Sequence, residues 1–192
     1  VEISKNKDYK NIVNSLNKEH LEEDINVPKN LDGTLRYYQK TGFKWLKVLD
    51  KYKFGGILAD DMGLGKTIQV LSIIVDYVQN AKNKSIESEQ IETKRASLVV
   101  APSSLTLNWQ NEAQKFTNEL KTLVIKGTLS ERKRQIENID NYDLIITSYD
   151  LLKRDIDLYK EKKYQFRFLI ADEAQYLKNS NTQNAKAIKA LR

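Results

Sequence analysis

The segment that most restricts this chain is Asp60-Asp61-Met62-Gly63-Leu64-Gly65-Lys66-Thr67. It follows a short apolar run, Gly56-Ile57-Leu58-Ala59, and opens a stretch from Lys66 to Tyr77 in which Ile68, Val70, Leu71, Ile74 and Val75 recur on much of a helix's circumference. A strand, a glycine-bearing turn and a helix, in that order, aim backbone N–H groups at one point and make an anion site before any side chain is considered. Gly63 and Gly65 permit the turn and a close backbone approach. Lys66 can reach the β- and γ-phosphates of a nucleotide, and the Thr67 hydroxyl can coordinate magnesium. Asp60 stands where the usual phosphate loop has its first glycine, a departure that leaves the Gly-Lys-Thr end intact. The plain alternative is an ordinary glycine turn before a helix.

From there the chain alternates strand and helix patterns. Ser97–Ala101, Leu123–Ile125, Leu144–Thr147 and Phe166–Ala171 read as strands after the first at 56–59. Helices are expected at 104–116, 129–139, 149–154 and 182–191. Residues 35–49 carry Leu35, Tyr38, Gly42, Trp45, Leu46 and Leu49 at helical spacing, and Pro28, Asn30, Asp32 and Gly33 form a break before them. Residues 80–95 are polar, lack periodicity and read as a surface loop. Residues 1–30 read as a helical appendage carrying Tyr9, Ile12, Val13 and Leu16, with His20 a surface residue. Continuous β-branched runs between helices imply an α/β fold with a mostly parallel sheet covered by helices on both faces. Such sheets bind ligands at the carboxyl ends of their strands.

The second chemical signal lies at such an end. Phe168-Leu169-Ile170-Ala171 runs into Asp172-Glu173-Ala174-Gln175. Asp172 suits a magnesium shell, and Glu173 suits a group that orients or deprotonates an attacking water. Alone, two acids after a strand also serve simply to begin a helix; with a phosphate loop in the same sheet they complete a nucleotide site.

Composition removes other classes. The 192 residues suffice for one α/β domain with appendages and are short for two. No apolar run reaches about 18 residues, so no membrane span is expected. Cysteine is absent, which excludes disulfides and cysteine-ligated metals. The first residues, Val1-Glu2-Ile3-Ser4-Lys5, carry no apolar export segment, and the expected location is intracellular. Net charge is +6; this fits nucleic acid, and equally a lysine-rich solvated surface.

Five segments together resemble the first motor lobe of superfamily 2 helicase-like ATPases of the Snf2 (SWI/SNF-type) branch. They are Leu35-Arg36-Tyr37-Tyr38-Gln39 with Gly42 and Trp45-Leu46; Asp61–Thr67; Ala101-Pro102-Ser103-Ser104-Leu105 with Asn108-Trp109; Ile146-Thr147-Ser148-Tyr149-Asp150-Leu151-Leu152; and Asp172-Glu173-Ala174-Gln175. The resemblance covers residues 31–192 and implies a RecA-like lobe that binds ATP and Mg2+. It makes Lys66, Asp172 and Glu173 the catalytic group, with Thr67 and Asp172 on the metal. Asp61, Met62, Gly63, Leu64, Gly65, Lys66 and Thr67 would surround the phosphates. Gln39 would read the adenine edge, with Arg36 and Tyr38 shaping that side of the pocket. Ser103, Ser104, Thr147 and Ser148 would meet the phosphate backbone of double-stranded DNA; helix capping is the alternative for Ser103 and Ser148. Trp109 reads as core.

The family continues with a second RecA-like lobe that supplies arginines and half of the DNA track. No match to its motifs is visible, so the chain reads as the N-terminal part of a monomeric, longer protein, binding ATP with little turnover by itself. Its lysine, asparagine and isoleucine content resembles that of AT-rich bacterial genomes, which gives a bacterial, cytoplasmic expectation. Competing readings are an RNA helicase lobe of the same superfamily and a non-catalytic, nucleotide-gated binding module; a P-loop kinase or GTPase lacks an evident acceptor site or guanine-reading motif.

Overall fold

The computed structural model describes residues 25–88 and 95–191. The expected helix over Tyr9–Leu16, and His20 with it, lies outside the described residues. The chain divides into two compact units, one ending at Asp76 and one beginning at Tyr77.

In the first unit, a single turn of helix, α1 (Lys29–Asp32), occupies the expected break. Pro28 immediately precedes it and accepts from the Leu31 N–H at 2.8 Å, a position where a missing proline N–H costs nothing. Helix α2 (Tyr37–Lys51) follows, and α3 starts at Lys66 and runs to Ser88. That length corrects the loop expected from residue 80. Residues 79–88 contain no Gly or Pro, and their Lys, Gln, Ala and Glu favour helix without needing an apolar stripe. Gly42 lets α2 and α3 touch: a Cβ there would lie 1.7 Å from Gln69 Oε1. Lys47 of α2 pairs with Asp76 of α3.

The expected strand at 56–59 does not form. Gly56 rests against α2 instead, where an added Cβ would lie 2.4 Å from Leu49 and 2.8 Å from Trp45. Ile57 is 77% exposed, and no described strand pairs with this run. Three apolar residues beside a glycine make a weak strand, because a strand holds only through its ladder partners.

The second unit is an α/β layer built on four strands: β1 (Ser97–Ala101), β2 (Thr122–Val124), β3 (Leu144–Ser148) and β4 (Leu169–Ala171). They pair in the order β2-β3-β1-β4, all parallel. The fourth is shorter than the expected 166–171. Its approach still bonds to the sheet, with Arg167 N–H on the Ala96 carbonyl at 2.9 Å and Leu98 N–H on Phe168 at 2.8 Å.

Between the strands stand α4 (Thr106–Phe116), entered through a 3-10 turn at Ser103–Leu105; α5 (Leu129–Glu137); and α6 (Tyr149–Lys162). A 3-10 turn (Ala174–Leu177) and α7 (Gln183–Lys189) follow β4. α6 runs past the expected 154 because Ile156 and Tyr159 extend its apolar side, and it ends at Lys163 in the left-handed region.

Alternation splits the sheet into two faces. Leu98, Val100 and Ile145 gather with Ile136 of α5, Tyr149, Leu152 and Tyr159 of α6, and Ala187 and Ile188 of α7. The opposite side chains include Val99, Leu144 and Ile146, all fully buried, and α4 packs on β2 and β3. Arg132 of α5 clasps Asp155 of α6 through two bonds of 2.6 and 2.8 Å and also donates to the Gly127 carbonyl at 2.8 Å. The parallel register pairs Ala101 with Ser148 and Val100 with Ala171. The ends of β1, β3 and β4 therefore put Ser103, Ser148 and Asp172 at one edge. Among the described residues no helix is long and apolar enough to cross a membrane.

Candidate functional site

In the first unit the phosphate loop is shaped by its glycines. Gly63 and Gly65 have φ of 84° and 73°, and a Cβ at Gly65 would fall 2.5 Å from Gln39 Nε2. Only glycine serves at 65, for its backbone and for its neighbour. Asp60 explains its own departure from the usual loop. Its carboxylate accepts from Gln69 Nε2 at 3.1 Å, and its carbonyl accepts from Lys66 Nζ at 2.8 Å. Lys66 also donates to the Asp61 carbonyl at 3.0 Å. The lysine is thus held at the loop's own mouth by weak, exchangeable acceptors, which an anionic phosphate can replace with stronger charge-assisted bonds.

Gln39 is buried and both ends of its amide are used. Oε1 accepts from the Arg36 backbone N–H at 2.9 Å, and Nε2 donates to the Leu64 carbonyl at 3.1 Å. Arg36 is exposed, Tyr38 half-buried and Met62 94% exposed. Asp61 is exposed, and Thr67 is half-buried at the start of α3.

In the second unit Asp172 is fixed from several sides. Its N–H continues the ladder to the Val100 carbonyl at 2.9 Å. Oδ2 accepts from Trp109 Nε1 at 2.8 Å, Oδ1 accepts from the Glu173 N–H at 2.9 Å, and the carbonyl accepts from the Tyr149 hydroxyl at 2.7 Å. Each carboxylate oxygen keeps a lone pair. A carboxylate with free lone pairs is the kind of oxygen donor that suits a hard cation such as magnesium. Glu173 sits at φ 51° and ψ 58°, in the left-handed region, and its side chain is exposed. Oε2 accepts from Gln175 Nε2 at 2.6 Å. The Tyr149 ring stacks on Tyr176 with centroids 5.2 Å apart. Burial first, and then the negative charges of Asp172 and Glu173, push its phenol up to about 12, so it stays a donor at working pH.

A groove of about 480 Å³ opens between the starts of α4 and α6. Ser103, Thr106 and Ser148 line it, with Lys126 and Arg154 as cations and Asp150, paired with Lys153, as the one acid among the lining residues. Ser103 and Ser104 are exposed. Ser148 caps α6, accepting from the Leu151 N–H at 3.2 Å, whereas no side-chain cap closes the turn at Ser103. Thr147 corrects the expectation of a phosphate contact. It is fully buried, because alternation along β3 turns it beneath α6, on the side of Tyr159.

Sequence reading missed the bonds from Trp109 and Tyr149 to Asp172, and the two groove cations. A signal for the first was present: a buried indole N–H needs an acceptor, and Trp109 follows the strand that pairs with the one ending at Asp172.

Residues 38–192 match the family described as SNF2-related domain. An uncharacterized ATP-dependent helicase of Mycoplasma genitalium is 39% identical over 93% of this chain and 16% of its own length. The human TATA-binding protein-associated factor 172 is 38% identical over 88% of this chain and 9% of its own. Among solved structures, the Sulfolobus solfataricus SWI2/SNF2 ATPase core in complex with dsDNA is 35% identical, with a TM-score of 0.68 over 90% of this chain and 32% of that one. The chain therefore spans a small fraction of the curated relatives it matches. With a glycine loop ending in Lys66-Thr67, a parallel sheet ending in Asp172-Glu173 and a match over most of its length, the chain belongs to the SNF2-related domain family.

Proposed function

We propose that this chain is the ATP-binding lobe of an intracellular, Snf2-type, DNA-dependent ATPase that translocates on duplex DNA and remodels protein–DNA complexes. Residues 31–192 form the lobe in this reading, and residues 1–30 are an appendage to it. The observation that carries the reading is the double fixation of the chemistry: a lysine parked at the mouth of a positive-φ glycine loop, and an aspartate whose carboxylate is oriented by two N–H donors. One bound ATP would engage both.

Lys66 leaves the Asp60 and Asp61 carbonyls for the β- and γ-phosphates. Loop N–H groups between Asp61 and Thr67 cradle the phosphate chain. Thr67 and Asp172 would hold magnesium, which would supply positive charge to the phosphate oxygens. Glu173 orients the attacking water and accepts its proton. Gln39 supports the adenine side together with Arg36 and Tyr38. Ser103, Ser104 and Ser148 meet a DNA phosphate backbone, aided by two helix starts. A second RecA-like lobe of the same polypeptide closes the site in this reading. The Mycoplasma relative and the lysine-rich composition support a bacterial source.

The test is ATP turnover by the intact protein with duplex DNA, single-stranded DNA or RNA. Stimulation by duplex DNA, abolished by Lys66→Ala and by Glu173→Gln with nucleotide still bound in the latter, is expected. Stimulation by RNA alone would replace DNA with RNA as partner, and unchanged turnover in both variants would contradict the catalytic assignment.

A further inference from the structure

Asp172 belongs to neither α4 nor α6, yet each sends it one aromatic donor. Trp109, one turn into α4, gives its indole N–H to Oδ2 at 2.8 Å. Tyr149, the first residue of α6, gives its hydroxyl to the Asp172 carbonyl at 2.7 Å. The same helix starts face the groove. Ser103 and Thr106 border it at the start of α4, and Ser148, the cap of α6, borders it beside Lys126 and Arg154. The side that faces the groove and the side that orients the carboxylate are therefore the same two helical turns.

Both aromatic residues are buried, at 3% exposure each. The Trp109 bond goes to a carboxylate and is charge-assisted, the Tyr149 bond goes to the backbone carbonyl of the same residue, and in so buried a place water replaces either poorly. The geometry of each depends on where its helix start stands, because a rigid ring transmits a shift of the backbone directly to its N–H or O–H. Phosphates seated on the N–H groups and hydroxyls at both helix starts would restrain both positions together.

We propose that Trp109 and Tyr149 are positioning residues that set the Asp172 carboxylate according to whether the groove is occupied, so that duplex DNA is sensed at the metal-binding acid through two hydrogen bonds. The proposal rests on the DNA-dependent ATPase reading above. Empty, the groove leaves the starts of α4 and α6 free to shift and the carboxylate imperfectly aimed. Filled, it fixes both donors and the carboxylate with them.

The experiment uses the intact protein with Tyr149→Phe, which removes only the hydroxyl donor, and Trp109→Phe, which removes the N–H together with the pyrrole half of the indole. Three quantities are read: the Mg2+ concentration for half-saturation by a fluorescent ATP analogue, the stimulation of turnover by duplex DNA, and the 19F resonance of 5-fluorotryptophan at position 109 during a duplex titration without nucleotide. Trp109→Phe is expected to raise the Mg2+ requirement about tenfold, as losing a partner of a metal ligand does. Tyr149→Phe raises it less, since its bond is to the backbone. Both variants lose most of the stimulation by DNA, and the 19F signal moves as duplex is added. A wild-type Mg2+ requirement and wild-type stimulation in both variants, or a 19F signal unmoved by saturating duplex, would overturn the proposal. Should Trp109→Phe fold poorly, Tyr149→Phe and the fluorine label decide alone. If the unmutated protein is itself indifferent to DNA, the functional reading fails and this inference with it; if it responds and the variants respond equally, only this inference fails.

Discussion

Gln39 Nε2 donates to the Leu64 carbonyl at 3.1 Å, joining helix α2 to the phosphate loop across 25 residues of sequence. The same amide accepts from the Arg36 N–H, so the start of α2 and the loop share one side chain. Gln39→Ala removes both bonds and leaves the loop less ordered. We expect Mg·ATP affinity to fall about tenfold, and stability by about 1–2 kcal/mol for two lost hydrogen bonds. Calorimetric titration and urea unfolding check the two numbers separately.

Gly42→Ala gives a prediction whose sign opposes helix propensity. Mid-helix Gly→Ala ordinarily stabilises by about 0.5–1 kcal/mol. Here the new methyl would meet Gln69 Oε1, and the Gln69 amide is buried and tied to Asp60. The substitution should destabilise by about 1–3 kcal/mol, the usual cost of overpacking. In a Gln69→Ala background the clash disappears, and Gly42→Ala should then stabilise. Thermal unfolding of the four proteins tests this directly.

The Arg132–Asp155 clasp is buried on both sides, at 9% and 1% side-chain exposure. Asp155→Ala strands a guanidinium beneath α6, and a loss of about 3–5 kcal/mol is expected. Replacing both partners, Arg132→Met with Asp155→Leu, removes the unpaired charge and should recover most of that loss. Equilibrium unfolding in urea measures both variants against the wild type.

Glu131 supplies the pH prediction. The Thr128 backbone N–H and then its hydroxyl bond to the Glu131 carboxylate, at 2.7 and 2.8 Å, and hold its pKa below the ordinary 4.5. The unfolded chain thus binds the proton more readily, and stability rises with pH through this range. The contribution is complete above about pH 4.5 and is lost as pH falls through the lower, folded value. Glu131→Gln keeps an acceptor and abolishes the titration, so its stability should vary less than the wild type's below pH 4.5. Unfolding midpoints from pH 3 to 6 decide it.

Much of the second unit was legible because its strands announce themselves. Ser97–Ala101 is five buried residues without a break, and the expected boundaries match the observed strand. The loop at 63–67 was legible for a different reason, since two glycines before Lys-Thr have few other uses. The run 56–59 misled because apolar character alone does not supply a ladder partner. Residues 79–88 misled in the opposite direction, as helix propensity without periodicity looks like a loop. Thr147 shows a further limit: a hydroxyl in a phosphate-contacting motif has a side decided by strand register, and register places this one under α6. The bonds onto Asp172 come from residues 109 and 149, far apart in sequence, and only the β3-β1-β4 order brings them together.

In the function we propose, Lys66 binds the phosphates of ATP and Asp172 its magnesium. A crystal structure of the intact protein with magnesium and a non-hydrolysable ATP analogue tests it most directly. The expected result is the Lys66 ammonium on the β- and γ-phosphates, with the Asp172 carboxylate bound to the same magnesium directly or through one water. Finding the triphosphate on Lys66 while Asp172 lies beyond reach of its metal would contradict the claim.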